Sequence, residues 1–287
     1  MLIVGLFFSF IFLNGCSNVS KEEGKIDDKK EIYKAVTAGD ILPFFDHWNL
    51  IAGDGSNVGN ASILEHKDFF YTANDEAGDW VVFKSPNAGN THGTSNNIRT
   101  ELAQLKKWSA FTANKLSATL KVMNVSATGD ARVAASYSVV VGQIHSADGH
   151  ENEPLKIFYK KFPGHDKGSV FWHYEINTAG DDNSGRWDYS TAAWGDDFSA
   201  MGKEENTYPA EPLGGIALGE EFSYEIKVDD GIMHLTFKSE GHETKTFTKN
   251  LIKSEYSSKE NIPQQTKNLF FPIGQDGMER ENAYADE

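Results

Sequence analysis

Two short stretches put polar side chains at the spacing that brings them to one side of a strand. In the run from Asn96 to Leu102, Arg99 and Glu101 lie two residues apart. An extended chain projects them from one face and Ile98, Thr100 and Leu102 from the other. A surface strand with an ion pair worth ~0–1 kcal/mol accounts for this spacing as well as a binding site does. In the run from Ser136 to His145, Tyr137, Val139, Val141, Gln143 and His145 alternate onto one face, so an apolar ladder turns polar at its end. Gln143 and His145 would be same-face neighbours ~6.6 Å apart along the strand. A strand that loses its apolar pattern in this way is either leaving the core or entering a cleft, and these residues alone leave both open. A histidine in a cleft would carry protons near neutral pH.

The elements that must position these residues are strands. From Lys115 to Asn124, Leu116, Ala118, Leu120 and Val122 share one face. From Phe222 to Val228, Phe222, Tyr224, Ile226 and Val228 do the same. Asp229-Asp230-Gly231 then makes a turn, and Met233, Leu235 and Phe237 return as the apolar face of a hairpin partner. Glu243 to Thr248 reads as a further, more exposed strand. No stretch keeps a helical period; short helices are expected only at Asp28 to Ala38 and around Ser254 to Glu260. Thr178 to Gly215, acidic and rich in Gly, Asn and Asp, reads as one long loop, a feature that in compact domains usually serves function. Many short strands between glycine-rich turns predict an all-β, two-sheet antiparallel sandwich or jelly roll.

The formal net charge of −15 argues against a nucleic-acid partner, which calls for a basic footprint. It does not exclude an acidic polysaccharide, because a local cationic cleft can act against the global field. The single cysteine, Cys16, permits no intramolecular disulfide. It follows an apolar run from Leu2 to Leu13, which is about half the ~20 residues that span a bilayer and has the length of a signal-peptide core. No Lys or Arg precedes that run. Leu13-Asn14-Gly15-Cys16 resembles a bacterial lipobox, with lipidation at Cys16. The expected organisation is therefore a lipoprotein signal peptide over residues 1–16, a polar tether over 17–40 and one domain over 41–287. The product would be a secreted or outer-membrane lipoprotein of a Gram-negative bacterium, held to the membrane only by its lipid anchor.

Taken together, Arg99-Thr100-Glu101-Leu102 and Gln143-Ile144-His145 resemble the two leading motifs of the alginate lyases of polysaccharide lyase family 7, in the right order. Pro154-Leu155-Lys156-Ile157-Phe158-Tyr159-Lys160-Lys161 fits the segment that follows, and the similarity runs from about Leu42 to the C-terminus. The resemblance implies a concanavalin-like β-jelly roll with an open cleft. It also implies a lyase that cuts the 1,4-linkage of alginate by β-elimination and leaves 4,5-unsaturated uronate ends; an endolytic mode is the leading hypothesis, and the sequence itself does not distinguish endo from exo. Such a reaction must first neutralise the uronate carboxylate so that the C5 proton can leave. By resemblance, Arg99 and Gln143 neutralise it, and His145 contacts the carboxylate or abstracts the proton. Glu101 orients Arg99 or holds a sugar hydroxyl. No cofactor and no metal is implied, and a monomer is expected.

The chain departs from the family pattern in two places. Position 103 is Ala103 where many members carry a second arginine, so Lys156 and Lys160 are expected to supply cationic contacts to the polymer. The third motif, a C-terminal strand of the Phe-Lys-x-Gly-x-Tyr type, has no match. The expectation is a chain cut short before it, with a cleft-lining strand lost and neighbouring edges unpaired. Tyr284, in an Asn-Ala-Tyr-Ala context, is not assigned the tyrosine's role. A non-catalytic acidic-polysaccharide-binding jelly roll is the main alternative. A glycoside hydrolase is disfavoured because no strand shows the carboxylate pair that hydrolysis needs. Asp181-Asp182-Asn183 reads as a solvated turn rather than a calcium site, and the other histidines lack metal-ligand spacing. Trp172, Trp187 and Trp194 are divided between core and sugar-stacking roles, with Trp172 assigned to the core.

Overall fold

The computed structural model describes residues 36–42, 44–59, 66, 68–86, 90–93, 97–146, 154–176 and 187–251, with the backbone of Ile3–Leu6 and Asn282–Asp286. The elements are β1 (Ile3–Leu6), α1 (Ala38–Ile41), β2 (Trp48–Ile51), β3 (Asn57–Val58), β4 (Phe70–Asp75), β5 (Gly78–Phe83), β6 (Glu101–Gln104), β7 (Trp108–Ser109) and β8 (Asn114–Asn124). They continue with β9 (Ser138–Ser146), β10 (Leu155–Lys160), β11 (Lys167–Ile176), β12 (Trp187–Trp194), β13 (Ile216–Ala217), β14 (Glu221–Asp229), β15 (Ile232–Ser239), β16 (Lys245–Asn250) and β17 (Asn282–Asp286). The pairings run antiparallel, and two sheets result. One is ordered β16-β15-β14-β8-β1-β5-β4. The other runs β12-β11-β10-β9-β17-β6-β2-β3, with β13 attached to β11 and β7 to β17. This is the two-sheet β architecture that the alternating patterns predict.

The core lies between the sheets, because each contributes one apolar face. Leu120, Phe222, Tyr224, Leu235 and Phe237 line it from the first sheet, and Leu50, Leu102, Ile144, Ile157, Tyr159 and Trp172 from the second. Trp172 and Trp194 are both core residues, so neither offers a ring to a sugar. The side chain of Trp187 and the segment 181–183 lie outside the described residues, as do the helix candidate around Ser254 to Glu260 and most of the one at Asp28 to Ala38. The hairpin turns at Asp230 (φ 49°) and Gly231 (φ 72°). Two consecutive positive φ values are what a two-residue turn matching the strand twist requires.

One part of the chain departs from the sequence-based expectation. Trp187–Trp194 is a strand, β12, inside the stretch read as one loop; it completes the edge of the second sheet against β11. Ile3–Leu6, inside the run read as a signal peptide, pairs with β5 and β8, as Val4 with Phe83 and Val122, and Leu6 with Val81 and Leu120. A short apolar run suits a central strand as well as it suits export, since both demand burial on two sides.

Candidate active site

The face of the second sheet turned away from the core carries the polar motifs, and two local devices aim them there. The first is Thr100. Its N–H donates to Ser85 Oγ (2.9 Å) and its hydroxyl donates to the Lys84 carbonyl (2.8 Å). With Thr100 and Leu102 buried, Arg99 and Glu101 are left on the opposite face, as period two requires.

The second device is a β-bulge. Along β9 and β10, Ile144 pairs with Leu155, Gln143 with Lys156 and Gly142 with Ile157, after which the register jumps so that Val140 pairs with Phe158. Val141 is skipped. The extra residue changes the phase of the strand, so Val139 and Val141 pack on the core while Gln143 and His145 stand on the other face. The single ladder expected from alternation, with all four on one side, is therefore corrected. The polar pair enters the open face because the strand is kinked, and not because an apolar face fades.

On that face Glu101 joins two elements. Its Oε1 accepts from Arg99 Nη1 (2.9 Å) and its Oε2 accepts from Gln143 Nε2 (3.3 Å), a bridge from β6 to β9. Gln143 is buried, whereas Arg99 and His145 are half-buried. Lys156 is the cross-strand neighbour of Gln143 on one side and of His173 on the other. Arg99, Glu101, Gln143, His145 and Lys156 thus share one surface.

Lys160 does not join them. It projects to the same side of β10 but is buried at 3 % exposure, four residues along from Lys156. Its ammonium donates to the carbonyls of Ala134 (2.7 Å) and Ala200 (3.1 Å), and burial pushes its pKa down to about 8. The expected contact with polymer is corrected to a structural one, because residues distant in sequence cover this end of the sheet. Phe198 completes the cover. Its ring lies 4.2 Å from that of His173, edge-on, and its N–H donates to Ser190 Oγ (2.9 Å). His173 is consequently buried only two strands, ~9.6 Å, from Gln143.

The strip between β6 and β9 is occupied by β17, so these two strands do not present open edges along it. Within β17, Tyr284 is in register with His145, and Asp286 with Gln143 and Ala103. No local signal in the sequence marks Tyr284 for that place; only the pairing does. Among the described residues no group of three or more His, Cys, Asp or Glu side chains converges to hold a metal ion. Cys16 lies outside the described residues.

Comparison with known proteins identifies the family. A family model described as alginate lyase matches residues 42–273. The chain is 58% identical to the exolytic PL7 alginate lyase AlyA5 from Zobellia galactanivorans, with a TM-score of 0.75 over 87% of this chain and 82% of that one. An alginate lyase from Klebsiella pneumoniae is 28% identical over 250 residues, spanning 73% of this chain and 76% of the relative. The crystal structure of an alginate lyase from Klebsiella pneumoniae shares the fold, with a TM-score of 0.60 and 21% identity over 84% and 86% of the two chains. With the matched span covering most of its length, this chain belongs to the alginate lyases of polysaccharide lyase family 7.

Proposed function

We propose that the protein cleaves alginate by β-elimination and that it works from a chain end. The observation that carries the reaction is the bridge from Arg99 through Glu101 to Gln143, with His145 two residues further along the same strand face. A guanidinium carries five N–H donors, enough to hold Glu101 and a uronate carboxylate together. Arg99 and the Gln143 amide would take up the carboxylate charge. The C5–H bond next to it then becomes acidic enough for an imidazole to remove the proton. The C5–H electron pair becomes the C4=C5 double bond, the C4–O4 bond breaks, and the leaving O4 takes a proton. We assign that proton to Tyr284 on the strength of its register with His145. Glu101 fixes the direction of Arg99, and Lys156 adds positive charge beside Gln143.

The chain-end mode replaces the internal cleavage of the leading sequence-based hypothesis. Its support is twofold: the 58% identical relative is exolytic, and Phe198 covers the open face at His173. A polymer bound internally needs an open path on both sides of the reacting linkage, whereas a chain end needs one. Incubation with alginate tests both points. Unsaturated uronate should accumulate as ultraviolet absorbance while solution viscosity stays nearly constant.

Export and lipidation at Cys16 are part of the same reading, because the substrate is a polymer too large to enter a cell intact. The apolar run from Leu2 to Leu13 and the lipobox-like sequence support them.

A further inference from the structure

We propose that Lys160 is a positioning residue for chain-end cleavage. It ties down the segment 195–202, which closes the open face, and so decides whether internal stretches of polymer can reach Gln143 and His145. The inference rests on reading this face as a chain-end site.

The segment crosses strands β10 to β12 and is held at several points. Asp196 N–H donates to Ser169 Oγ (2.9 Å) and Phe198 N–H to Ser190 Oγ (2.9 Å). The Phe198 ring packs on Phe158 (6.1 Å between centroids), Phe171 (6.2 Å) and His173 (4.2 Å). At its far end, Gly202 N–H donates to the Ala131 carbonyl (2.8 Å), which attaches the segment to the 131–137 turn. Hydroxyl–amide bonds and ring contacts of this kind contribute about 1 kcal/mol each and break singly at little cost.

Lys160 is the charged tie among them. One ammonium reaches the Ala200 carbonyl in the covering segment and the Ala134 carbonyl in the 131–137 turn, and it stands 4.7 Å over the Phe162 ring. It therefore fastens both segments to β10 at once. The turn itself is built to meet it. Tyr137 holds a left-handed backbone (φ 61°) while its hydroxyl donates to the Gly129 carbonyl, and its ring packs on Phe162 and Tyr208. A bulky residue keeps such a conformation only where its surroundings over-determine it. Removing the ammonium strips the hydrogen-bond donor from two carbonyls and leaves Phe198 held, where it covers His173, by its ring contacts and the single bond from its N–H to Ser190 Oγ. Lys160 touches none of Arg99, Glu101, Gln143 or His145 in any contact above, so the reacting groups stay in place.

The test is the ratio of viscosity lost to unsaturated ends formed on polymeric alginate. It is measured for the full chain and for Lys160→Met, Lys160→Gln, Phe198→Ala and Phe237→Leu. Wild type should show a low ratio. Lys160→Met and Phe198→Ala should raise it several-fold, while ends still form on short oligomers at close to the wild-type rate. Lys160→Gln keeps a donor for one of the two carbonyls and should fall between; it also serves if Lys160→Met does not fold. Phe237→Leu loosens the core beneath Trp194 without a ring contact to residues 195–202 and should keep the wild-type ratio. A wild-type ratio in folded Lys160→Met or Lys160→Gln, beside a low wild-type ratio, overturns the role of Lys160 and leaves the chain-end reading standing. A ratio in Phe237→Leu as high as in the Lys160 variants overturns it too, because general loosening would then suffice. A high ratio in wild type itself overturns the chain-end reading and this inference with it.

Discussion

The hydroxyl of Tyr224, in one sheet, donates a 2.9 Å hydrogen bond to the carbonyl of Val141 in the other. Val141 is the residue skipped in the pairing of β9 with β10, so its carbonyl sits at a disrupted point of the ladder. Tyr224 is fully buried and satisfies that carbonyl from across the core. The bulge turns Gln143 and His145 onto the open face, and Tyr224 braces the bulge. A core tyrosine in the opposite sheet thereby acts on the site without touching it.

Tyr224→Phe should therefore cost more than a hydroxyl. An unpaired buried carbonyl costs about 1–3 kcal/mol, readable in denaturant unfolding. Small displacements of Gln143 and His145 should lower kcat by about tenfold, since ångström-scale misplacement costs up to ~10²-fold. KM should change less, because Arg99 lies just before β6 and Lys156 lies on β10.

Arg99→Lys should reduce kcat/KM by about 10²-fold, because a point ammonium cannot hold Glu101 and a uronate carboxylate in the planar geometry of a guanidinium. Glu101→Gln should give a smaller loss and raise KM. It leaves a residue that can still bond to Gln143 but no longer anchors the guanidinium by charge. Steady-state kinetics on one alginate preparation separates the two.

How much of this was legible in the sequence depends on how local each cause is. Arg99 and Glu101 were placed on one face by alternation alone, because Thr100 and Leu102 are buried beneath them with no irregularity between. Gln143 and His145 were recognised as a pair but set on the wrong face with Val139 and Val141. One bulged residue inverts the phase, and a bulge has no reliable signature in a run such as Ser-Val-Val-Val-Gly. Lys160 is expected from the sequence to reach the polymer, whereas its ammonium is covered by the carbonyls of Ala134 and Ala200, 26 and 40 residues away. The strand Trp187–Trp194 was lost among glycines and aspartates, although it pairs with seven residues of β11 from Val170 onward. Long-range pairing decided each miss.

The buried Lys160 also predicts a pH dependence of stability. Its folded pKa lies near 8, below the ordinary value of 10.5, because burial disfavours the charged form. Between these two values the unfolded chain binds more protons, so this group makes stability rise as pH increases from about 8 to 10.5. The Phe162 ring lies beneath its ammonium, and Tyr137, Tyr208 and His165 pack on that ring. The phenol of Tyr137 is pushed up to about 12 by desolvation and its bond with Tyr208, and stays protonated in that window. Unfolding midpoints across this range should rise for wild type relative to Lys160→Met, and parallel curves would contradict the assignment.

Processing at the N-terminus has two exclusive outcomes. Ile3–Leu6 pairs with β5 and β8 in the structure, whereas export with lipidation at Cys16 removes that strand. Intact mass of the protein from its native membrane fraction should correspond to a chain beginning at a lipidated Cys16. A mass that retains Met1 would instead support the sheet position of Ile3–Leu6.

The proposed elimination centres on the surface formed by Arg99, Glu101, Gln143 and His145. It is tested most directly by following the absorbance of the conjugated uronate during incubation of the full chain with alginate, beside His145→Ala and Tyr284→Phe. Absorbance should rise with wild type and be lost in His145→Ala. It should fall steeply in Tyr284→Phe if that phenol protonates O4. Binding of alginate with no absorbance from wild type, unaffected by His145→Ala, would contradict the account and leave a polysaccharide-binding protein in its place.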